Sequence, residues 1–149
     1  MAKLKVKDKV WVIVEFQDGH VEIHTSKGKT ITDAGLNWLA KRSYSDTERK
    51  IEYGAIGTGT NTPQASDTEL QTEKLRKLFS VMSNPSTGKA HFEFVIDWTE
   101  LNGETLTEVG IFNDPETGTM LLRKLLSPAI EKTSDKKPTI ILEVTISGA

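Results

Sequence analysis

Apolar residues recur at every second position through the opening stretch LKVKDKVWVIVEF. Leu4, Val6, Val10, Val12, Val14 and Phe16 take even positions, while Lys3, Lys5, Lys7 and Lys9 take odd ones. Successive side chains of an extended chain point to opposite faces, so this spacing suits a strand with one buried face and does not suit a helix. It predicts one long strand, or two strands with a break at Asp8. Trp11 and Ile13 fall on the lysine face, which makes the strand apolar on both sides there. A strand of that kind is covered twice, either by layers of its own sheet or by a partner. The lysine row itself suits an acidic partner surface or a polyanion. A solvated strand face is the simpler reading.

The same period of two runs through most of the chain. Gln17-Asp18-Gly19 is a turn, after which Val21 and Ile23 begin a return strand. Ile51, Tyr53 and Ala55 alternate with Glu52, Gly54 and Ile56. Residues 75–81 form a mixed stretch assigned as strand. Phe92, Phe94, Ile96 and Trp98 alternate with polar neighbours, and Asn102-Gly103 is a strong hairpin signal. TLTEVGIF at 105–112 and TMLLRKLL at 119–126 are strands, the second closed by Pro128. The last strand carries Ile140, Leu142, Val144 and Ile146 on one face. Only TITDAGLNWLAKR changes period, to a helix over 33–42 with Thr32 or Asp33 as its N-cap and Gly35 as a weak point. Ser66 followed by Glu69 predicts a helical turn by its capping-box spacing. The fold class is therefore mainly β: an antiparallel β-sandwich or open barrel of about eight strands with one short α-helix. Residues 1–149 form a single β-rich domain, with the N-terminal hairpin 3–25 as a partner-contacting extension.

Composition removes several function classes. Cysteine is absent, so disulfides, thiolate metal sites and cysteine nucleophiles are excluded. The formal net charge of −2 argues against nucleic acid as a partner. No apolar run reaches the ~20 residues that span a bilayer, and the alternating lysines do not make a signal peptide. IEYGAIGTGTNT has glycines at 54, 57 and 59, in the order G-x-x-G-x-G. A dinucleotide fingerprint needs G-x-G-x-x-G before a helix, and a Walker loop needs Gly-Lys-Ser/Thr, so neither fits. The stretch is expected to end a strand and open an exposed loop, with glycine supplying positive φ. His20, Glu22 and His24 share one strand face, but the two histidines are too far apart to hold one ion easily, and a solvent-facing polar row is the simpler reading. Asp97 and Glu108 suit a glycosidase pair only if they face each other across a cleft. No catalytic set, cofactor site or metal site is predicted.

Four strings taken together carry a resemblance: ITDAGLNWLAKR, IEYGAIGTGTNTPQASDTEL, LNGETLTEVGIFN and GTMLLRKLL. In order and spacing they resemble the tail-fibre and tail-collar type structural proteins of tailed bacteriophages, over roughly residues 30–126. Chains of that type place the module ahead of a repetitive shaft and a receptor-binding tip, neither of which this sequence has. The resemblance thus implies a non-enzymatic virion part: a small tail, baseplate or fibre-adaptor module, made in the host cytoplasm and located in the virion. A capsid decoration protein on the same module is the near alternative. The implied partners are copies of itself, by analogy a trimer, and other virion proteins, without nucleic acid or membrane. The expected contact residues are Lys3, Lys5, Trp11 and Ile13 on the first strand and Gly57, Gly59 and Thr60 at the loop. A carbohydrate- or receptor-binding β-sandwich using Tyr44 and Trp98 is a competing class, and an enzyme built on the scattered carboxylates is a third.

Overall fold

A computed structural model describes residues 4–26 and 31–148; Lys3 lies outside the described residues. Nine strands and one helix follow in chain order: β1 (Leu4–Phe16), β2 (Val21–Ser26), α1 (Asp33–Arg42), β3 (Tyr53–Gly57), β4 (Glu73–Leu78), β5 (Val81–Ser86), β6 (Lys89–Val95), β7 (Thr105–Phe112), β8 (Met120–Glu131) and β9 (Lys136–Gly148). The strands form one sheet in the order β4-β3-β7-β8-β2-β1-β9-β6-β5, with every neighbouring pair antiparallel.

The sheet folds back on itself because its inner face is largely apolar. Val10, Val12 and Val14 of β1 share one buried cluster with Phe94 of β6, Ile140 and Leu142 of β9, and Ile56, Val109, Ile111 and Leu122 from the other half. Strand β8 belongs to both halves. It pairs with β7 along most of its length and reaches β2 only at Leu126 and Ser127. The two edge strands are joined by Phe79 and Ser80 alone. The Phe79 N–H donates to the Glu52 carbonyl (2.9 Å) and the Ser80 N–H to the Glu93 carbonyl (2.8 Å). The chain thus crosses from one edge to the other in two residues, without β4 and β5 pairing, and the barrel stays open.

Several local expectations change in three dimensions. Strand β1 is continuous through Asp8, whose side chain lies on the inner face and pairs with buried Lys124 of β8. Of the two readings, one long strand is the one observed, and an opposite charge at the same depth accommodates Asp8 within it. The hairpin 3–25 is not an appended arm, since β1 lies between β2 and β9 and pairs with β9 from Leu4 to Phe16. Asn102-Gly103 turns the chain, with Gly103 at φ 90°, yet β6 and β7 do not pair. The turn carries the chain from one half of the sheet to the other. Pro128 does not end β8, because it sits just past the last pair with β2 and before pairing with β7 resumes at Ile130, where no ladder N–H is required. No helical turn follows Ser66. Strand β5, exposed along its length, has no apolar alternation by which sequence could find it.

Candidate functional site

Strand β3 ends at Gly57, and the chain returns to the sheet at Glu73. The loop between them lies over the outer face of β3, β7 and β8. Glu108 stands opposite Gly57, and Arg123 opposite Gly110, so both charged side chains rise from that face beneath the loop. Both are fully buried. Glu108 Oε1 accepts from the N–H groups of Gly59 (3.0 Å) and Thr72 (2.7 Å). Its Oε2 accepts from the Gln71 N–H (3.0 Å) and from Arg123 Nε (2.8 Å). The guanidinium goes on to donate to Asp67 Oδ2 (3.2 Å), Asn61 Oδ1 (2.6 Å) and the Asn61 carbonyl (3.2 Å). Gln71 Oε1 accepts from the N–H groups of Thr60 and Asn61, each at 2.9 Å. One carboxylate thereby ties both ends of the loop, and its guanidinium partner ties the middle.

This arrangement explains the glycines. Gly57 and Gly59 are buried, and neither has a positive φ; among the described residues the glycines that do are Gly19, Gly88, Gly103 and Gly118. A Cβ at Gly57 would sit 2.2 Å from the Thr72 carbonyl oxygen, and one at Gly59 would sit 2.6 Å from Glu108 Oε1. They serve close approach, not chain reversal, and they offer no surface to a partner; of the expected loop contacts only Thr60 is exposed. Apolar contacts complete the clamp, with Leu70 packing on Ala55, Phe112 and Met120.

The helix and the β7–β8 turn join the same construction. Thr32 caps α1, its Oγ1 accepting from the Gly35 N–H (2.9 Å) and donating to the Met120 carbonyl (2.5 Å). The Asp33 N–H donates to the Ala65 carbonyl in the loop (2.8 Å). Arg76 stacks on Phe112, 3.5 Å from the ring centre, and donates to the carbonyls of Asp114 (2.9 Å) and Thr117 (2.8 Å). Above this frame Thr60, Asn61, Thr62, Gln64, Ser66 and Glu69 are exposed. A polar cleft of about 380 Å³ lies between Asn61, Asp67, Glu69 and Arg123.

A second surface lies on the outer face of the other half. Trp11 and Ile13 of β1 are half-buried there, and Ile13 faces Ile23 of β2, which is 68% exposed. Val21 extends the stripe at 53% exposure. Lys5, Lys7 and Lys9 are exposed along the same face, with Lys9 Nζ 4.8 Å from the centre of the Trp11 ring. Next to Trp11, His91 Nδ1 lies 3.0 Å from Glu143 Oε2, and Nε2 lies 2.7 Å from Glu93 Oε2. The hydrogen bond to Glu143, reinforced by the one to Glu93, raises the His91 pKa above its ordinary 6.5. The bond from His91 in turn lowers that of Glu143.

The other sequence candidates do not converge. His20 stacks on Phe16 and pairs with Asp18, whereas His24 is buried and its Nδ1–H donates to the Pro128 carbonyl (2.9 Å). Among the described residues no group of three or more His, Cys, Asp or Glu side chains is placed to hold a metal ion. Asp97 is exposed near Lys77, while Glu108 is enclosed under the loop, so the two do not share a cleft. Tyr44 is exposed, and Trp98 is half-buried beside Lys137. Among the described residues no helix is long and apolar enough to cross a membrane. The Glu108–Arg123 pair escaped sequence reasoning, although its signal was present: Glu108 at the head of the apolar string EVGIF, and Arg123 with Lys124 inside the otherwise apolar MLLRKLL. Comparison with known proteins finds no matching family, no matching curated protein and no matching solved structure.

Proposed function

We propose that this chain is a non-enzymatic structural subunit of a tailed-virus particle, a small tail, baseplate or fibre-adaptor part that works through contacts with its own copies and with other virion proteins. The observation that carries this reading is the use to which the resembling residues are put. Glu108 meets Gly57, Gly59 and the loop backbone, while Thr32 caps the helix on Gly35, which itself lies against Leu121. A reacting site needs polar atoms free to meet a substrate; here those atoms hold a loop in one shape. A loop ordered in advance gives up little entropy on docking, which suits an assembly surface. The apolar stripe of Trp11, Ile13, Val21 and Ile23 supplies a second, separate contact region. Two different surfaces on one subunit permit head-to-tail contacts that close into rings.

The test uses particles purified from a culture that carries the gene, with gold-labelled antibody fragments raised against the chain. Label at the tail supports the proposal. Label spread over the shell assigns the chain to capsid decoration instead, and a chain found only in the soluble lysate overturns the reading. The doubly substituted Ile13→Lys, Ile23→Lys chain is expected to keep its far-ultraviolet circular dichroism and to enter particles at least ~10-fold less, the equivalent of about 1.4 kcal/mol of contact energy.

A further inference from the structure

The inner face of the sheet continues beyond the packed core. There, Val6 of β1, Phe92 of β6 and Val144 of β9 face Leu36, Trp38 and Leu39 of α1 across a cavity of about 280 Å³. The helix is held close to the sheet at its first turn, where a Cβ on Gly35 would lie 2.5 Å from the Leu121 carbonyl oxygen. One residue further on, Leu36 is left 45% exposed.

The polar groups around the cavity are already engaged. Trp38 Nε1–H donates to the Arg49 carbonyl (2.7 Å), so the indole offers the cavity only its ring. Asn84 Nδ2 donates to the carbonyls of Ser86 (2.8 Å) and Lys89 (2.6 Å). Lys89 Nζ lies 3.5 Å from Glu143. Among the described lining residues a charged ligand head group would find no free counter-charge, and its desolvation would go uncompensated.

Apolar cavities stay dry and take up apolar molecules; one of ~150 Å³ accepts benzene. We propose that this cavity is a binding site for an uncharged apolar small molecule of about eight to ten carbons, in keeping with nearly twice that volume. The site stands apart from both contact surfaces described above and does not depend on the role proposed for them.

The experiment titrates the full chain with 1-octanol and separately with octanoate, following ¹³C-labelled methyl resonances. Octanol is expected to give saturable shifts confined to Leu36, Leu39, Val144 and Ile146, with octanoate at least ~10-fold weaker. Two filling variants, Ala90→Leu and Val6→Phe, are expected to lose the octanol shifts while keeping the circular dichroism of the parent. Should both fail to fold, xenon dissolved under pressure in the parent chain reads the same methyls, and their response or silence decides. Absence of saturation, shifts on Ile13 and Ile23 instead, or octanoate binding as tightly as octanol would each overturn the proposal. So would octanol breaking an oligomer into smaller species, which would make a second copy the occupant.

Discussion

Glu108 is the residue on which the loop most depends. Its two oxygens accept from three loop amides and from Arg123. Truncating it leaves those amides and the buried Arg123 Nε–H without their acceptor, and leaves the guanidinium only Asp67 as a counter-charge. Removing one partner of a buried ion pair costs about 3–5 kcal/mol, well above the net worth of a typical hydrogen bond, roughly 1 kcal/mol. Glu108→Ala is therefore expected to lower the unfolding free energy by about 3–5 kcal/mol in urea titrations. Amide exchange should accelerate first at Gly59, Gln71 and Thr72, while the amides shared by β1 and β9 stay protected until global unfolding. Equal acceleration across the whole sheet would contradict a local clamp.

At the scale of the element, helix α1 sets propensity against packing. Glycine inside a helix is worse than alanine by about 0.5–1 kcal/mol, which is why Gly35 looks like a flaw in the sequence. In place, Gly35 lies on the backbone of Leu121, and an added methyl would meet the Leu121 oxygen at 2.5 Å and its Cα at 2.8 Å. Those are backbone atoms of a strand paired on its other side, so they cannot turn away as a side chain would. Overpacking of this kind costs about 1–3 kcal/mol, which exceeds the gain in propensity. Gly35→Ala should thus lower the melting temperature measured by calorimetry, despite improving the helix in isolation. A rise would mean that α1 can lift off the sheet, and would undo the account of Gly35 as a contact residue.

At the scale of the whole molecule, stability should depend on pH through His91, which links β6 to β9. The ring has a carboxylate at each nitrogen, so both nitrogens donate and the cation is favoured. Its folded pKa is raised above 6.5, chiefly by the hydrogen bond to Glu143. That contribution is complete below 6.5 and is lost as pH rises through the raised folded value. Glu143 behaves in the opposite sense. Its pKa is lowered from 4.5, first by the bond from His91, so its contribution stands above 4.5 and is lost as pH falls through the lowered value. Both contributions hold between 4.5 and 6.5. The urea midpoint should be highest within that window and decline on the alkaline side. His91→Gln should flatten the alkaline decline; an unchanged decline would place its source elsewhere.

Where apolar spacing is regular, local pattern alone determined which residues extend and which coil; β5 lacks such spacing and was not legible. The even-numbered apolar row of β1 forms a strand facing the core, the break in period at Thr32 begins a helix that ends at Arg42, and TLTEVGIF is a strand from its first residue to its last. Those outcomes depend on side-chain spacing within a few residues, which a linear reading contains. Tertiary structure decided what the spacing leaves open. Asn102-Gly103 turns the chain but does not choose the neighbouring strand, and the next strand joins the opposite half of the sheet. Asp8 finds Lys124, and Glu108 finds Arg123, only because folding brings distant strands together. Gly57 and Gly59 look like turn glycines of positive φ in one dimension and prove to be the floor of a loop in three, since the atoms that exclude a side chain there come from Thr72, Gln71 and Glu108. A contact between residues far apart along the chain has no periodicity, so it enters only with the folded geometry.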